Sequence, residues 1–109
     1  MPTFREFQGF EIRVGTVLEA KMHPSARKPA YQLQIDFGEA GIKSSSAQLT
    51  KRYDANALVG RQVVAVLNFP PRRVADYTSE VLVLGAMSTE TDVVLLEVAE
   101  PVENGTRIG

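Results

Sequence analysis

The stretch VVAVLNFPPRRVADYTSEVLVL, residues 63–84, contains two apolar runs separated by a polar loop. The runs Val63–Leu67 and Val81–Leu84 have the length and composition of buried strands. Between them, Pro70 and Pro71 cannot continue a strand ladder, so we expect the chain to leave the sheet here. The sequence therefore predicts two strands joined by a stiff basic loop.

Alternating apolar and polar residues predict three further strands upstream, at 12–22, 31–37 and 42–47. In the first of them, the apolar residues Ile12, Val14, Leu18 and Met22 share one predicted face, and Gly15 could allow a bend or bulge. Thr3 and Glu6 have the spacing of a capping box, which predicts a short helix from Phe4 to Gln8. Residues 49–60 predict a helical or irregular connection, and a further apolar run covers 93–98.

Five strands with a helical segment between the third and fourth match the order of an OB-fold, a small, partly open Greek-key barrel. The predicted class is thus all-β: a five-stranded OB-fold barrel with a short N-terminal helix and a C-terminal strand extension, all within one domain over residues 1–109. The Greek-key order cannot be taken from a pattern of strands, and a different small barrel stays open.

The composition favours a binding protein over an enzyme. Cysteine is absent, and the only histidine, His23, precedes a proline in a predicted turn with no neighbouring carboxylate. We therefore expect no catalytic residues, no metal site and no cofactor. The chain has no apolar run of about 18 residues and begins without the features of a signal peptide, so we expect a cytoplasmic protein with no membrane insertion.

The charges are unevenly distributed along the chain. Residues 1–73 carry 11 Lys and Arg against 6 Asp and Glu, whereas residues 74–109 carry 1 against 7. An OB-fold binds ligands on strands 2 and 3 and in the loops between strands 1–2 and 4–5. These regions hold a set of basic candidates for contact with RNA phosphates: Arg27, Lys28, Lys43, Arg72 and Arg73.

Three successive serines, Ser44–Ser46, lie on the third predicted strand. They could line a polar groove, or they could keep an edge strand polar and so prevent pairing between sheets. Few aromatic residues accompany the basic ones, which favours recognition of folded RNA by its shape and backbone over base-by-base contact.

A second candidate contact surface consists of apolar residues outside the barrel pattern. They are Phe4, Phe7 and Phe10 near the start, and Val94 and Leu96 in the late apolar run. They could cover an open end of the barrel or form a two-fold homodimer interface. We favour the homodimer, with the extensions 1–10 and 86–109 at its interface, because symmetric dimers are the commonest oligomers and edge strands pair readily.

Three motifs resemble a known family: EIRVGTV at 11–17, HPSA at 23–26 and NFPPRR at 68–73. They are similar to the tRNA-binding domain that ends many bacterial methionyl-tRNA synthetases and also occurs as free-standing dimers. The longer stretches KMHPSARKPAYQLQIDFG at 21–38 and VVAVLNFPPR at 63–72 resemble one branch more closely, the secretion chaperones of the CsaA type.

The resemblance implies an OB-fold homodimer that holds unfolded preproteins and delivers them to the export ATPase SecA, with tRNA binding as the rival or additional activity. It places RNA contacts at Arg72, Arg73 and Ser79. Two departures weaken the RNA expectation: Thr78 stands where a lysine often precedes the serine, and Leu82 where tRNA-binding members tend to have methionine.

For the peptide, we expect a groove near Phe69, Pro70 and Pro71. Because apolar contacts resist salt and phosphate contacts do not, we also expect mutations to separate peptide binding from RNA binding.

Overall fold

The computed structural model describes residues 1–109. The elements in chain order are α1 (Phe4–Gln8), β1 (Ile12–Met22), β2 (Tyr31–Asp36), β3 (Ile42–Ala47), α2 (Ala55–Leu58), β4 (Gln62–Val66), β5 (Arg72–Val74), β6 (Tyr77–Ser79), β7 (Leu82–Val83), β8 (Gly85–Met87) and β9 (Val93–Leu95). A 3-10 turn over Gly38–Ala40 connects β2 to β3. Neither α-helix has the length and apolar character needed to cross a membrane.

Five of the strands form one antiparallel sheet in the order β3-β2-β1-β4-β7. The sheet curls until its two edges meet, because the carbonyl of Ser44 on β3 accepts hydrogen bonds from the amides of Glu80 (2.9 Å) and Val81 (3.2 Å) just before β7. The result is a nearly closed five-stranded barrel. The predicted OB-fold class is confirmed.

The inner face of β1 differs from the predicted one. The register of β1 against β2 shifts between Val17 and Glu19, so Leu18 is the extra residue of a bulge and the inner face changes there. Val17 is therefore fully buried in the core, whereas Leu18 is 46% exposed. Gly15 is not the bulge; it lies against the core, where a Cβ atom would come within 2.6 Å of the Phe37 ring.

In β2, the strict alternation of apolar and polar residues correctly predicted which face of the strand is buried. Leu33 and Ile35 are fully buried in the core, and Phe37 extends the same inward pattern just beyond the strand. On the other side of the barrel, Leu58 of α2 and Val63 of β4 complete the packing. Burying side chains of this size stabilises the fold by roughly 1.5–3 kcal/mol each.

The sequence predicted a loop between the fourth and fifth barrel strands, but the structure has a pair of short strands there. After Pro70 and Pro71 the chain forms a hairpin, in which Arg72–Val74 pairs with Tyr77–Ser79. The turn is at Ala75, whose φ of 55° is left-handed, and Asp76. We call residues 72–79 the hairpin.

The two ends of the chain differ in how they pack. α1 has the predicted capping box between Thr3 and Glu6, and none of its residues is buried. The C-terminal segment 105–108, in contrast, lies along the first half of β1: the Gly105 amide donates to the Val14 carbonyl at 2.7 Å, and the Val14 amide to Thr106. The C-terminal extension thus completes an edge of β1 within the same chain.

Candidate functional site

A groove of about 670 Å³ lies beside the closure of the barrel. Eleven of its 18 lining residues are hydrophobic, which gives it an apolar floor. Four segments surround it: the β1–β2 loop, the end of β3, the hairpin, and the chain from β7 into β8 and β9. The lining residues are Ala26, Arg27, Lys28, Ala30, Ser46, Ala47, Gln48, Leu49, Arg72, Val74, Ala75, Leu82, Val83, Leu84, Gly85, Met87, Glu90 and Val93. We call this the main groove.

Three of the predicted RNA-binding residues lie together on the rim of the main groove. Arg27 and Lys28 belong to the β1–β2 loop, and Arg72 belongs to the hairpin on another wall. All three side chains are exposed, and none forms an ion pair. Glu90 is the only acidic residue of the lining. The groove therefore combines an apolar floor with a net positive rim.

The other predicted RNA-binding residues lie outside this groove. Arg73 donates a hydrogen bond to the Thr78 hydroxyl at 2.7 Å across the hairpin. Lys43 pairs with Ile35 across the β2–β3 ladder and lines neither groove. Ser79 is only 4% exposed, and its hydroxyl accepts a hydrogen bond from the Ser46 amide at 2.9 Å. Its hydroxyl therefore helps to close the barrel and is not presented to solvent.

Two of the predicted peptide-binding residues, Phe69 and Pro70, line a separate, small groove of about 160 Å³, and Pro71 does not. Arg72 and Leu82 line both grooves. The Phe69 ring also packs edge-on against Phe10 of the same chain, with centroids 5.7 Å apart. The larger apolar surface is thus the main groove, which none of the three predicted peptide-binding residues lines.

The hairpin is fixed to the barrel by a cluster that sequence reasoning missed. Ser25 in the β1–β2 loop donates a hydrogen bond to the Asp76 carboxylate at 2.7 Å, and the buried His23 places Nε2 3.5 Å from the same carboxylate. The Tyr77 ring packs against His23, and its hydroxyl accepts from the Gln34 amide at 3.1 Å. We call His23, Ser25 and Asp76 the loop latch, because they join two walls of the main groove.

The prediction that His23 has no carboxylate neighbour is wrong. Asp76 lies 53 residues further along the chain, so no local pattern could reveal the contact. The prediction that His23 belongs to the turn structure agrees with its position: the ring is 3% exposed, and Nδ1 lies 3.3 Å from the Ser46 hydroxyl. No group of three or more His, Asp or Glu side chains is arranged to hold a metal ion.

Two groups at the latch have perturbed acidity. The hydrogen bond from Ser25, followed by the one from the backbone amide of Asp76, lowers the pKa of the Asp76 carboxyl, and the nearby His23 ring acts in the same direction. Burial raises the pKa of the Tyr77 hydroxyl, which keeps the phenol neutral and able to donate its proton to the Leu33 carbonyl.

Comparison with known proteins places this fold and groove in a family. A family model described as a putative tRNA binding domain matches residues 12–107. The crystal structure of the chaperone CsaA from Bacillus anthracis is 52% identical, with a TM-score of 0.96, and the match covers 100% of this chain and 99% of that one. The CsaA chaperone from Picrophilus torridus is 43% identical with a TM-score of 0.92, and both chains are fully covered.

The chain belongs to the tRNA-binding domain family, and within it to the CsaA type.

Among curated proteins, the chain is similar to the methionine–tRNA ligases of Porphyromonas gingivalis, at 33% identity over 96% of this chain, and of Pyrococcus abyssi, at 32% over 96%. The chain spans only 15% and 14% of the length of these two ligases, respectively. What the chain shares with them is therefore the tRNA-binding domain alone.

Replacing Ser25 with alanine tests the loop latch. Since the serine hydroxyl is the largest cause of the lowered Asp76 pKa, we expect that pKa to rise toward its ordinary value of 3.8 in Ser25→Ala. A depressed folded-state pKa gives stability that is complete above the ordinary pKa and is lost as the pH falls through the folded pKa. As the pH falls, the stability that ionised Asp76 gives to the fold should therefore be lost at a higher pH in the variant than in the parent.

Carboxyl-carbon NMR of Asp76 across an acid titration measures this pKa directly. Ser88→Ala is the matched control, because the exposed Ser88 side chain makes no hydrogen bond. An Asp76 titration curve that is identical in the parent and Ser25→Ala would contradict the latch.

Proposed function

We propose that the chain acts as a non-enzymatic, homodimeric molecular chaperone of the CsaA type in the cytoplasm, which holds unfolded preproteins in the main groove and delivers them to the export ATPase SecA. The observation that carries the proposal is the apolar floor of the main groove. Eleven hydrophobic residues line it on a molecule with no cluster of side chains suited to catalysis by a metal. The two solved relatives of the same length are named as chaperones.

The shape of the groove suits an unfolded client better than a compact ligand. A chaperone needs accessible apolar surface that accepts many sequences without strict side-chain recognition. Leu82 is 40% exposed and Met87 is 67% exposed at the lining, so both offer apolar contact without any rearrangement. Methionine adapts its shape to varied partners, because its side chain is unbranched and flexible.

The double variant Leu82→Gln/Met87→Gln tests the apolar contact. Both side chains are exposed, so the polar replacements should leave the barrel folded while removing apolar surface from the groove. If a client covers about 60 Å² of that surface, roughly 1.5 kcal/mol of binding is lost, or about tenfold in affinity. Light scattering of a chemically denatured preprotein diluted into buffer measures the suppression of aggregation.

The matched control is Leu18→Gln/Ile42→Gln, two equally exposed apolar residues that line neither groove. It should suppress aggregation as the parent does. Equal suppression by the groove variant and the parent would contradict the proposed site. Release of the bound preprotein on adding SecA and ATP then tests delivery separately from holding.

A second candidate function is the binding of tRNA, and the basic rim favours it. Arg27, Lys28 and Arg72 have no acidic partner in the chain, so their charges are available for phosphates. By contrast, Arg52 and Arg61 pair with Asp92 and Glu97 elsewhere on the molecule. The family to which the chain belongs is described as a tRNA-binding domain.

The double variant Arg27→Ala/Arg72→Ala tests RNA binding across the groove. Each lost phosphate contact reduces the slope of log affinity against log salt by about 0.7–0.9, so the slope should become shallower by up to about two units. Filter binding of tRNA over a series of NaCl concentrations measures it. The control is Lys21→Ala/Lys51→Ala, which removes the same charge from exposed positions outside the groove. Identical slopes in the groove variant and the parent would exclude the basic rim as the RNA site.

The dimer in this proposal uses the apolar residues that the folded chain leaves uncovered. Phe4 is 73% exposed and Phe7 is 41% exposed on a helix with no buried residue, so α1 does not cap the barrel. Phe10, Val94 and Leu96 are also exposed, at 38–45%. A second copy of the chain would cover this surface with the same residues, as a two-fold interface requires.

Phe7→Asp should convert the dimer to a monomer, because it puts a charge into an apolar interface while leaving the fold of the separate chain intact. Multi-angle light scattering measures the mass. Leu18→Asp, at a similarly exposed position on β1, is the control and should stay dimeric. A monomeric parent at micromolar concentration would overturn the dimer.

A further inference from the structure

The wall of the barrel has a break in its hydrogen bonding at the main groove. β3 and the chain before β7 are joined at Ser44, but the ladder does not continue along the two strands. Ser46 of β3 and Val83 of β7 both line the groove beyond this junction. The groove is therefore bordered by two strand edges.

On β7, the backbone of Val83 is free. The Leu84 amide donates to the Val64 carbonyl at 2.8 Å, so Leu84 faces β4. Successive residues of a strand direct their backbone groups to opposite sides, so the N–H and C=O of Val83 point away from β4. No strand pairs with β7 on that side, because β7 is the edge of the sheet and its ladder partner is β4.

On β3, no strand pairs with the edge that faces the groove. The Ser44 carbonyl faces the chain before β7, so the carbonyl of Ser46, two residues on, faces the same side. The Ser46 amide is already used by the Ser79 hydroxyl, but the Ser46 carbonyl has no strand to pair with on that side. The amide of Gln48, another lining residue, has no hydrogen-bond partner.

We infer that the main groove binds its client as an added β-strand: an extended segment with alternating apolar side chains and at least one acidic residue, hydrogen-bonded to the free edge at Val83. This inference rests on the proposed function and names the form of the bound segment. Backbone bonding of this kind gives affinity without strict sequence recognition. The apolar side chains face the floor of the groove.

The positive charge of the rim is the reason to expect an acidic residue in the bound segment. The rim carries Arg27, Lys28 and Arg72 against Glu90 alone, so a carboxylate on the bound segment gains a favourable partner and a lysine does not. Arg72 and Val83 both line the groove, so one short segment can engage the charge and the strand edge together.

The test uses a short synthetic peptide of alternating valine and glutamine that ends in glutamate, and a set of copies that are N-methylated at one amide each. N-methylation removes one donor and leaves sequence and charge unchanged. Since the Val83 carbonyl is the acceptor that this edge offers, affinity should fall roughly tenfold at the position whose amide faces Val83 and change little at the ends of the peptide, which lie beyond the free edge. Fluorescence anisotropy of the labelled peptides measures the affinities.

Amide hydrogen exchange with a denatured preprotein bound gives a second measurement. The Val83 amide should gain protection, while the exposed amide of Glu90, at the same groove but on no strand, serves as the internal control. Replacing the glutamate of the peptide with lysine should weaken binding to the parent, and Arg72→Glu, which leaves two charges of each sign at the groove, should abolish that preference.

The outcomes separate the inference from the proposed function. If the preprotein is held but Val83 gains no protection, or if N-methylation has the same effect at every position, binding through the strand edge is overturned. Protection of Val83 by tRNA alone, and not by the preprotein, also overturns it. If neither preprotein nor peptide binds, the proposed chaperone function itself fails.

Discussion

The closure of the barrel at Ser44 is the interaction on which the rest of the structure depends. One carbonyl accepts two amide hydrogen bonds, from Glu80 and Val81, and the Ser45 hydroxyl adds a third link to the Val81 carbonyl at 3.0 Å. Hydroxyl groups can bond to backbone atoms across a gap that is too irregular for a regular ladder. The serines thus join two strand edges at one end only. The edges part beyond that point, and this parting forms the main groove.

The same constraint explains where the sequence was informative and where it was not. Period-two alternation in Tyr31–Asp36 predicted a strand, because one face must be apolar to form a core. Two roles were predicted for the serine run, lining a polar groove and protecting an edge strand. Neither describes Ser44 and Ser45, which are buried and bonded to Glu80 and Val81 just after the hairpin. Those partners lie more than 30 residues away, so no local pattern contains them.

The hairpin escaped prediction for a related reason. Its strands Arg72–Val74 and Tyr77–Ser79 are three residues each, too short for a hydrophobic period, and their sequences suit a solvated loop equally well. It is held in place by long-range polar contacts, from Ser25 to Asp76 and from Gln34 to Tyr77. The basic residues could therefore be named from the sequence, but their arrangement could not. The hairpin puts Arg72 on the groove and turns Arg73 toward Thr78.

The arrangement changes the expected relation between the two candidate partners. The sequence suggested that peptide and RNA sites would separate by mutation, with the peptide near Phe69. Arg72 lines the same groove as Val74 and Leu82, so a phosphate on the rim and an apolar side chain on the floor would compete for one space. Salt would still distinguish them, because apolar burial persists where phosphate contacts weaken. An apolar lining of this extent gives little to a phosphate backbone, but it gives an extended polypeptide most of its contact surface.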